Sequence, residues 1–541
     1  SLDERRVWSP TTRRMTAVLQ EVSSTGAEMR RFDVDLYDHN DVLIATAVGL
    51  NLRLLPPDSS TQNAVTLIPH WRELSFPSDE IWPSSTAKVV ILGGEASEQH
   101  MLGKYYPQAS YIPSDELHDV SRLVVALNTL TDFDHVFWLV PSCSSLSSEG
   151  IQEAQEDGVL AGFRLVKALF EAGYEAKKIG FSVVVKQTQN VFSSEEAWPA
   201  HAGLLGFIGS MTKEVPAWRV RVVDLEARSS LDASAFLRIP ANENGDVVAF
   251  RKGKWHKRAL VSKPIKPSQV DKLRRGGVYV IIGGAGGIGR ALTEYLIRCY
   301  DARVIWIGRR PEVDEISHQL DELSSIGHRP YYINADASKL NDLIAAKSEI
   351  IEKFGEIHGV LHSTVVLADS GLLKMNEVQF GRAYDAKFKT TMSTFEAFCD
   401  VDIDFLGFFS SLQSFSKSAG QSNYSAGCTF CDAYALEIAR VSEIPIRVLN
   451  WGYWGSVGIV ASEEYETRMR AIGLSSIEPE DGFRAFRHAI GGEDVQRIFL
   501  KTSDVGTLQA KLLPEMERRY PIGASPDLSH LSPSENGYTR E

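Results

Sequence analysis

Val278, Tyr279, Val280, Ile281 and Ile282 run straight into Gly283, Gly284, Ala285, Gly286, Gly287, Ile288 and Gly289. An unbroken apolar run of this length reads as a strand buried on both faces. The glycines allow a tight turn and a close approach of backbone to a ligand, and Arg290–Tyr300 continues as a helix. Strand, glycine loop and helix N-terminus together make the phosphate corner of a dinucleotide fold, because free N–H groups and the helix dipole both face an anion. A glycine-rich loop can also be a structural turn, but the strand–loop–helix context favours Gly283, Gly284, Gly286, Gly287, Ile288 and Gly289 as cofactor contacts.

Downstream, Val304–Ile307, Tyr331–Ile333, Gly359–His362, Phe405–Ser410 and, as the last, Arg447–Trp451 read as further strands. The second strand ends at Ile307, Gly308, Arg309 and Arg310. An acidic side chain at that strand end would suit a ribose 2′-hydroxyl. Arg309 suits a 2′-phosphate instead, which points to NADPH. Asp336, after the third strand, is placed to hydrogen-bond an adenine or to cap a helix.

The same order of elements occurs upstream. Val89–Leu92 precedes Gly93 and Gly94, and Val136–Val140, Phe181–Val185 and Arg219–Leu225 follow, with a helix at Gly162–Ala172. Strands alternating with helices imply a parallel sheet. The fold class is therefore α/β, with two tandem Rossmann-like doubly wound sheets. The first copy lacks the equipment of the second. Its loop has no third glycine, and Glu95 would repel a phosphate. Aligning Gly180 with Gly407 puts Val184 opposite Ser411, and no tyrosine lies between Phe192 and Leu205. It is expected to be a structural copy that buttresses the second.

Residues 31–55 alternate apolar and polar around His39, Asn40 and Asp41, and read as a β-hairpin. An isolated hairpin is marginal in water, so it must pack on a partner. The expected organisation is a hairpin segment over 1–64, a structural subdomain over 65–265, a catalytic subdomain over 266–515 and a linker over 516–541. Pro56 to Asn63 ends the hairpin, the basic stretch from Lys263 joins the two sheets, and a Pro/Ser/Gly-rich tail begins at Pro521.

The 541 residues include 57 basic and 70 acidic side chains, a net charge of −13 with no basic block, which argues against nucleic acid and anionic membranes as partners. Cys143, Cys299, Cys399, Cys428 and Cys431 are too few to staple so long a chain, and a reducing cytoplasm fits them. Cys428 and Cys431 form a CxxC without a second half, so no metal is expected. Ser1 to Pro10 has no apolar core, and a signal peptide is not expected.

Reducing a ketone takes a hydride donor and a proton donor for the developing alkoxide. A tyrosine can give the proton when a nearby ammonium lowers its pKa from about 10. A second hydroxyl can hold the oxygen. Phe408, Phe409, Ser410 and Ser411 end a strand, and Gly420, Gln421, Ser422, Asn423 and Tyr424 open a helix. Ser411 and Tyr424 can therefore face one another.

With these motifs and Arg447–Gly452, residues 65–515 resemble the ketoreductase domain of modular polyketide synthases, within the short-chain dehydrogenase/reductase superfamily. The resemblance implies an NADPH-dependent reductase of β-ketoacyl thioesters carried on an acyl carrier protein, among neighbouring synthase domains. It implies Tyr424, Ser411 and Lys387 as the catalytic set, with Lys389 as the alternative lysine. Many members have Asn where this chain has Cys428, which puts a proton relay there in doubt. The run Tyr424–Phe430 looks like members from synthases whose acyltransferase is a separate protein. Asp369 stands where B-type (D-hydroxy) reductases keep a marker Asp, although Ala368 replaces its partner. The tryptophan that marks A-type members is here Ser416, and Ala426 replaces the proline often seen where an epimerised α-carbon is handled. Asp369 and Gln421 are thus the candidate stereocontrol residues. The hairpin resembles the closing strands of a dehydratase domain. Two other readings stay open: an inactive scaffold with a reductase fold, and a free-standing ketone reductase.

Overall fold

The computed structural model describes residues 4–9, 16–25, 29–38, 42–53, 63–74, 80–130, 132–227, 233–263, 271–458 and 462–517. The expected turn at His39–Asp41, the Pro56 segment, most of the stretch after Lys263 and the tail from Pro521 lie outside them. Residues 1–63 form one compact unit and residues 64–541 another.

The N-terminal unit is a four-stranded sheet in the order Glu4–Val7, Leu43–Arg53, Met29–Tyr37, Thr16–Thr25, antiparallel throughout. The expected hairpin is its central pair. Polar residues on these strands are tied across the ladder: Asp35 accepts from the Thr46 hydroxyl at 2.5 Å, and Asp33 from the Gly49 N–H at 2.8 Å.

In the large unit the two doubly wound sheets join edge to edge into one 16-stranded sheet. Its C-terminal half runs in the order Tyr331–Asn334, Arg303–Gly308, Val278–Ile282, Gly359–His362, Phe405–Ser411, Ile446–Trp451, Gln496–Thr502, all parallel. The last of these strands was not expected from the sequence. It carries Arg497 and Lys501 among its apolar residues, and they break the continuous run that marks the others.

The N-terminal half mirrors this order with Ser110–Ile112, Val89–Gly93, His135–Leu139, Gly180–Lys186, Arg219–Leu225 and Val247–Arg251. Among the described residues it has no counterpart of the third strand, Tyr331–Asn334. Lys254–Ser262 and Asn63–Leu74 then pair antiparallel and bridge to Gln496–Thr502. The ladders correct the expected alignment by two residues. Lys186 pairs Leu225 as Ser411 pairs Trp451, so Lys186, not Val184, holds the place of Ser411.

Between the halves, the helices Val159–Glu171 and Gly203–Glu214 of the first pack on Glu377–Phe398 and Ser422–Val441 of the second. The contact is glycine-mediated: a Cβ on Gly206 would lie 2.2 Å from the Ser425 carbonyl oxygen. Phe163 and Phe207 close on Phe380, with ring centroids 5.0 and 5.7 Å apart. Such aromatic pairs add about 0.5–1.5 kcal/mol each beyond the area they bury. Arg164 clamps Glu377 across the same seam at 2.5 and 2.9 Å. No described helix is long and apolar enough to cross a membrane.

Candidate active site

The glycine corner folds as its sequence requires. Gly283 has φ +88°, and its N–H donates to the Ile307 carbonyl at 2.9 Å. A Cβ on Gly289 would lie 2.8 Å from Gly283 O, so the first turn of the Gly287–Tyr300 helix can sit on the loop only without a side chain there. Gly283 and Gly286 line a cleft of about 300 Å³ that reaches Arg309 and Asp336. Gly286, Gly287, Ile288 and Gly289 line a second cavity of about 850 Å³. Gly284 lines neither, and its α-carbon faces the Trp306 indole.

Arg309 is exposed at the cleft. Asp336 accepts from the N–H and hydroxyl of Ser338 at 3.1 and 2.7 Å. Burial works against its ionisation, but Ser338 and the charge of Arg309 outweigh this and hold the carboxyl below its usual range. Its carbonyl also accepts from Lys339 N at 2.8 Å, so Asp336 builds the turn ahead of the Leu340–Phe354 helix as well as lining the cleft.

The larger cavity brings Ser411 and Tyr424 together with Asp369 and Gln421. It meets the cleft at Gly286, Ser363 and Val365. Ser411 ends its strand, and Tyr424 stands in the first turn of the Ser422–Val441 helix. The Ser411 hydroxyl and the thiol of Cys428, one turn further on, are the polar side chains that act on the phenol. Gln421 donates to Asp369 at 2.7 Å, and Asn423 to the Ala368 carbonyl at 3.0 Å. Burial raises the Asp369 carboxyl, and Gln421 opposes it.

Lys387 is 3% exposed. Its ammonium donates to the Phe409 carbonyl and, at 3.4 Å, to Thr364 O. Lys389 points elsewhere and pairs with Asp385 at 2.7 Å. The sequence reading expected an ammonium to lower the tyrosine pKa. In the protein alone burial dominates, Cys428 adds to it, and together they raise the Tyr424 phenol well above its ordinary value, against the Ser411 hydrogen bond. Lys387 is aimed at the strand carbonyl, and its charge reaches Cys428. Burial still pushes that thiol up to about 12. Phenol and thiol are thus both protonated at neutral pH.

The cavity also holds residues that sequence reasoning missed. Lys213 and Asn244 come from the first half, and Tyr465 and Arg468 from the helix Glu463–Ala471. No local motif marks them. The signal was the internal repeat itself, since a doubled fold pairs equivalent helices and so brings the Gly203–Glu214 helix to the Tyr424 helix.

This geometry defines a class: a dinucleotide-binding reductase fold with a serine–tyrosine pair at the end of the cofactor cleft. Residues 277–456 match the KR domain family. Over 541 aligned positions it is 35% identical to polyketide synthase PksN of Bacillus subtilis (strain 168), covering 96% of this chain and 10% of that protein. Polyketide synthase PksM of the same strain is 33% identical over 98% of this chain and 13% of its own length. The chain therefore spans only about a tenth of these relatives. Among solved structures, an N-terminal ketoreductase from the macrolactin assembly line superposes with a TM-score of 0.70 at 18% identity, over 82% of this chain and 93% of that one.

Proposed function

We propose that the protein reduces the β-keto group of an acyl chain held as a thioester on an acyl carrier protein, using NADPH, to the D-hydroxy thioester. The observation that carries this reading is the Ser411–Tyr424 pair lining one cavity that is continuous with the glycine corner. The residues fit the cofactor. Gly283–Gly289 turn so tightly that the helix start packs on the loop with no room for a Cβ at Gly289, leaving Gly283 and Gly286 bordering the cleft, and Arg309 stands at the strand end where an acidic residue would oppose a 2′-phosphate. Bound there, NADPH supplies the hydride for the keto carbon.

The chain's own residues supply the rest. The Ser411 hydroxyl can donate to the carbonyl oxygen and orient it. The Tyr424 phenol holds a proton next to that hydroxyl and gives it to the oxygen as negative charge develops there. General acid catalysis of this kind contributes about 10²–10⁴-fold. Lys387 fixes the end of the Phe405–Ser411 strand through the Phe409 carbonyl, and its charge reaches Cys428 beside Tyr424. Asp369 and Gln421 form one wall of the cavity and favour entry of the carrier's arm from a single side, which selects one face of the ketone. The relatives' greater length supports a place among other synthase domains.

The test is NADPH consumption with a β-ketoacyl thioester on a carrier protein, followed by chiral chromatography of the product. Turnover that Tyr424→Phe abolishes, with a D product, is expected. Absence of turnover overturns the reductase reading, and an L product overturns the stereochemical one.

A further inference from the structure

Two loops carry the residues that face the substrate. One runs from Ala368 to Leu373 and holds Asp369. The other runs from Lys417 to Gln421 and leads into the Tyr424 helix. Neither is regular structure, and Gly420 has φ +80°. Loops of this kind need tertiary contacts to hold a fixed geometry, because the backbone groups have no ladder partners.

Those contacts come from the half of the chain that lacks a dinucleotide corner. Glu214, at the end of the Gly203–Glu214 helix, accepts from Leu372 N at 2.6 Å with one carboxylate oxygen. It accepts from Gly420 N at 3.0 Å with the other. The two loops then bond directly to each other, Ser370 N to Gly420 O at 3.0 Å. Neighbouring first-half residues complete the grip: Lys167 donates to the carbonyls of Leu372 and Leu373 at 3.1 and 2.9 Å, and Ser210 to Ser418 O at 2.6 Å.

Resting on the reductase reading, we propose that Glu214 is a positioning residue of the reductive site. Its carboxylate clamps the Asp369 loop to Gly420, and so sets the placement of Asp369 and Gln421 relative to Tyr424. The first half thereby controls which face of the ketone is reduced. The chemistry of the clamp is specific. Both partners are N–H donors, so the residue must offer two acceptor oxygens. A carboxylate does this, an amide offers one acceptor and presents an NH₂ to the other donor, and a methyl offers none.

The experiment uses the full chain with NADPH and a β-ketoacyl carrier protein, and compares wild type, Glu214→Gln and Glu214→Ala. Four quantities are read: kcat, the D to L ratio of the alcohol, the NADPH dissociation constant and the melting temperature. Misplacement of reacting groups by about 1 Å can cost on the order of 100-fold. Glu214→Ala is expected to lower kcat about 10–100-fold and to raise the share of the minor enantiomer, with NADPH affinity unchanged. Glu214→Gln, which keeps shape, volume and one acceptor, is expected to show the same two effects in smaller measure, and it decides the matter if the alanine variant does not fold. An unaltered enantiomer ratio in a folded variant overturns the proposal, whether kcat is unchanged or falls only in step with melting temperature. A wild type that reduces nothing counts against the reductase reading instead.

Discussion

At the end of its first strand each half turns through a pair of glycines into a helix, yet the two turns treat an anion in opposite ways. In the second half the loop from Gly283 to Gly289 borders open space, the cleft and the larger cavity. In the first, Gly93 and Gly94 keep the left-handed turn, with φ +66° and +79°. There a Cβ on Gly94 would lie 2.4 Å from the Leu139 side chain. The helix N-terminus is also already served, because Glu98 accepts from Glu95 N at 3.0 Å and is neutralised by Lys186 at 2.8 Å. The positive end of a helix stabilises whatever negative charge lies nearest. A copy that builds that charge into its own sequence keeps the turn and the fold and loses the need for a ligand. Glycine spacing alone does not make a cofactor corner; what faces the free N–H groups decides it.

The sharpest way to break this division of labour is at the chemistry. Tyr424→Phe removes the phenolic proton and leaves the ring. It is expected to lower kcat by about 10²–10⁴-fold with no change in NADPH affinity, read by steady-state kinetics and fluorescence titration. The next effect in size falls on the cofactor. Arg309→Ala removes one charge-assisted contact to a 2′-phosphate, worth roughly 1.5–3 kcal/mol. NADPH is expected to bind about 10–100-fold more weakly, with NADH unaffected. Equal loss for both would show that Arg309 does not read the phosphate.

The second half was the more legible of the two. Most of its buried parallel strands are short runs rich in apolar residues, so Val278–Ile282 and Gly359–His362 could be read to the residue. Gln496–Thr502 escaped because charged residues interrupt it, and Lys254–Ser262 because His256, Lys257 and Arg258 follow one another and leave neither an apolar run nor an alternation to read. In the site, Ser411 and Tyr424 were legible because the strand end and the helix start that carry them are local features. The burial that raises the tyrosine, and the turn of Lys387 toward Phe409, depend on packing between helices distant in sequence. Glu214 was illegible for the same reason: it meets Gly420 across 206 residues.

A third contrast concerns acid. His201, in the first half, is 3% exposed, and burial lowers its pKa to about 4. In the unfolded chain a histidine titrates near 6.5. The folded value is the depressed one, so the stability held by the neutral ring is complete above about pH 6.5 and is lost as pH falls toward 4. Linkage puts the loss at about 2 kcal/mol between pH 7 and pH 5. Unfolding free energies from urea titrations at the two pH values are expected to differ by that much more in wild type than in His201→Gln. A pH response that the substitution leaves unchanged would show that His201 is not the group responsible.

The smallest expected effect tests the comparison at its root. Glu95 stands at the first half's helix start, 72% exposed at the side chain, and its carboxylate lies 3.8 Å from Lys186. An exposed pair at that distance contributes no more than about 1 kcal/mol. Glu95→Gln removes the charge that would repel a phosphate. If repulsion alone kept the first half free of cofactor, a second dinucleotide site should then appear. Two things argue that it will not. Glu98 remains as the acceptor of the residue 95 N–H, and Lys186 remains paired to it at 2.8 Å. Leu139 remains packed over Gly94, closing the space that Ser363 leaves open at the equivalent place in the second half. NADPH titration by fluorescence is expected to give one site per chain for wild type and for Glu95→Gln, with a stability change within about 0.5 kcal/mol. A stoichiometry of two in the variant would mean that a single exposed charge, and not the filled cradle, separates the two halves.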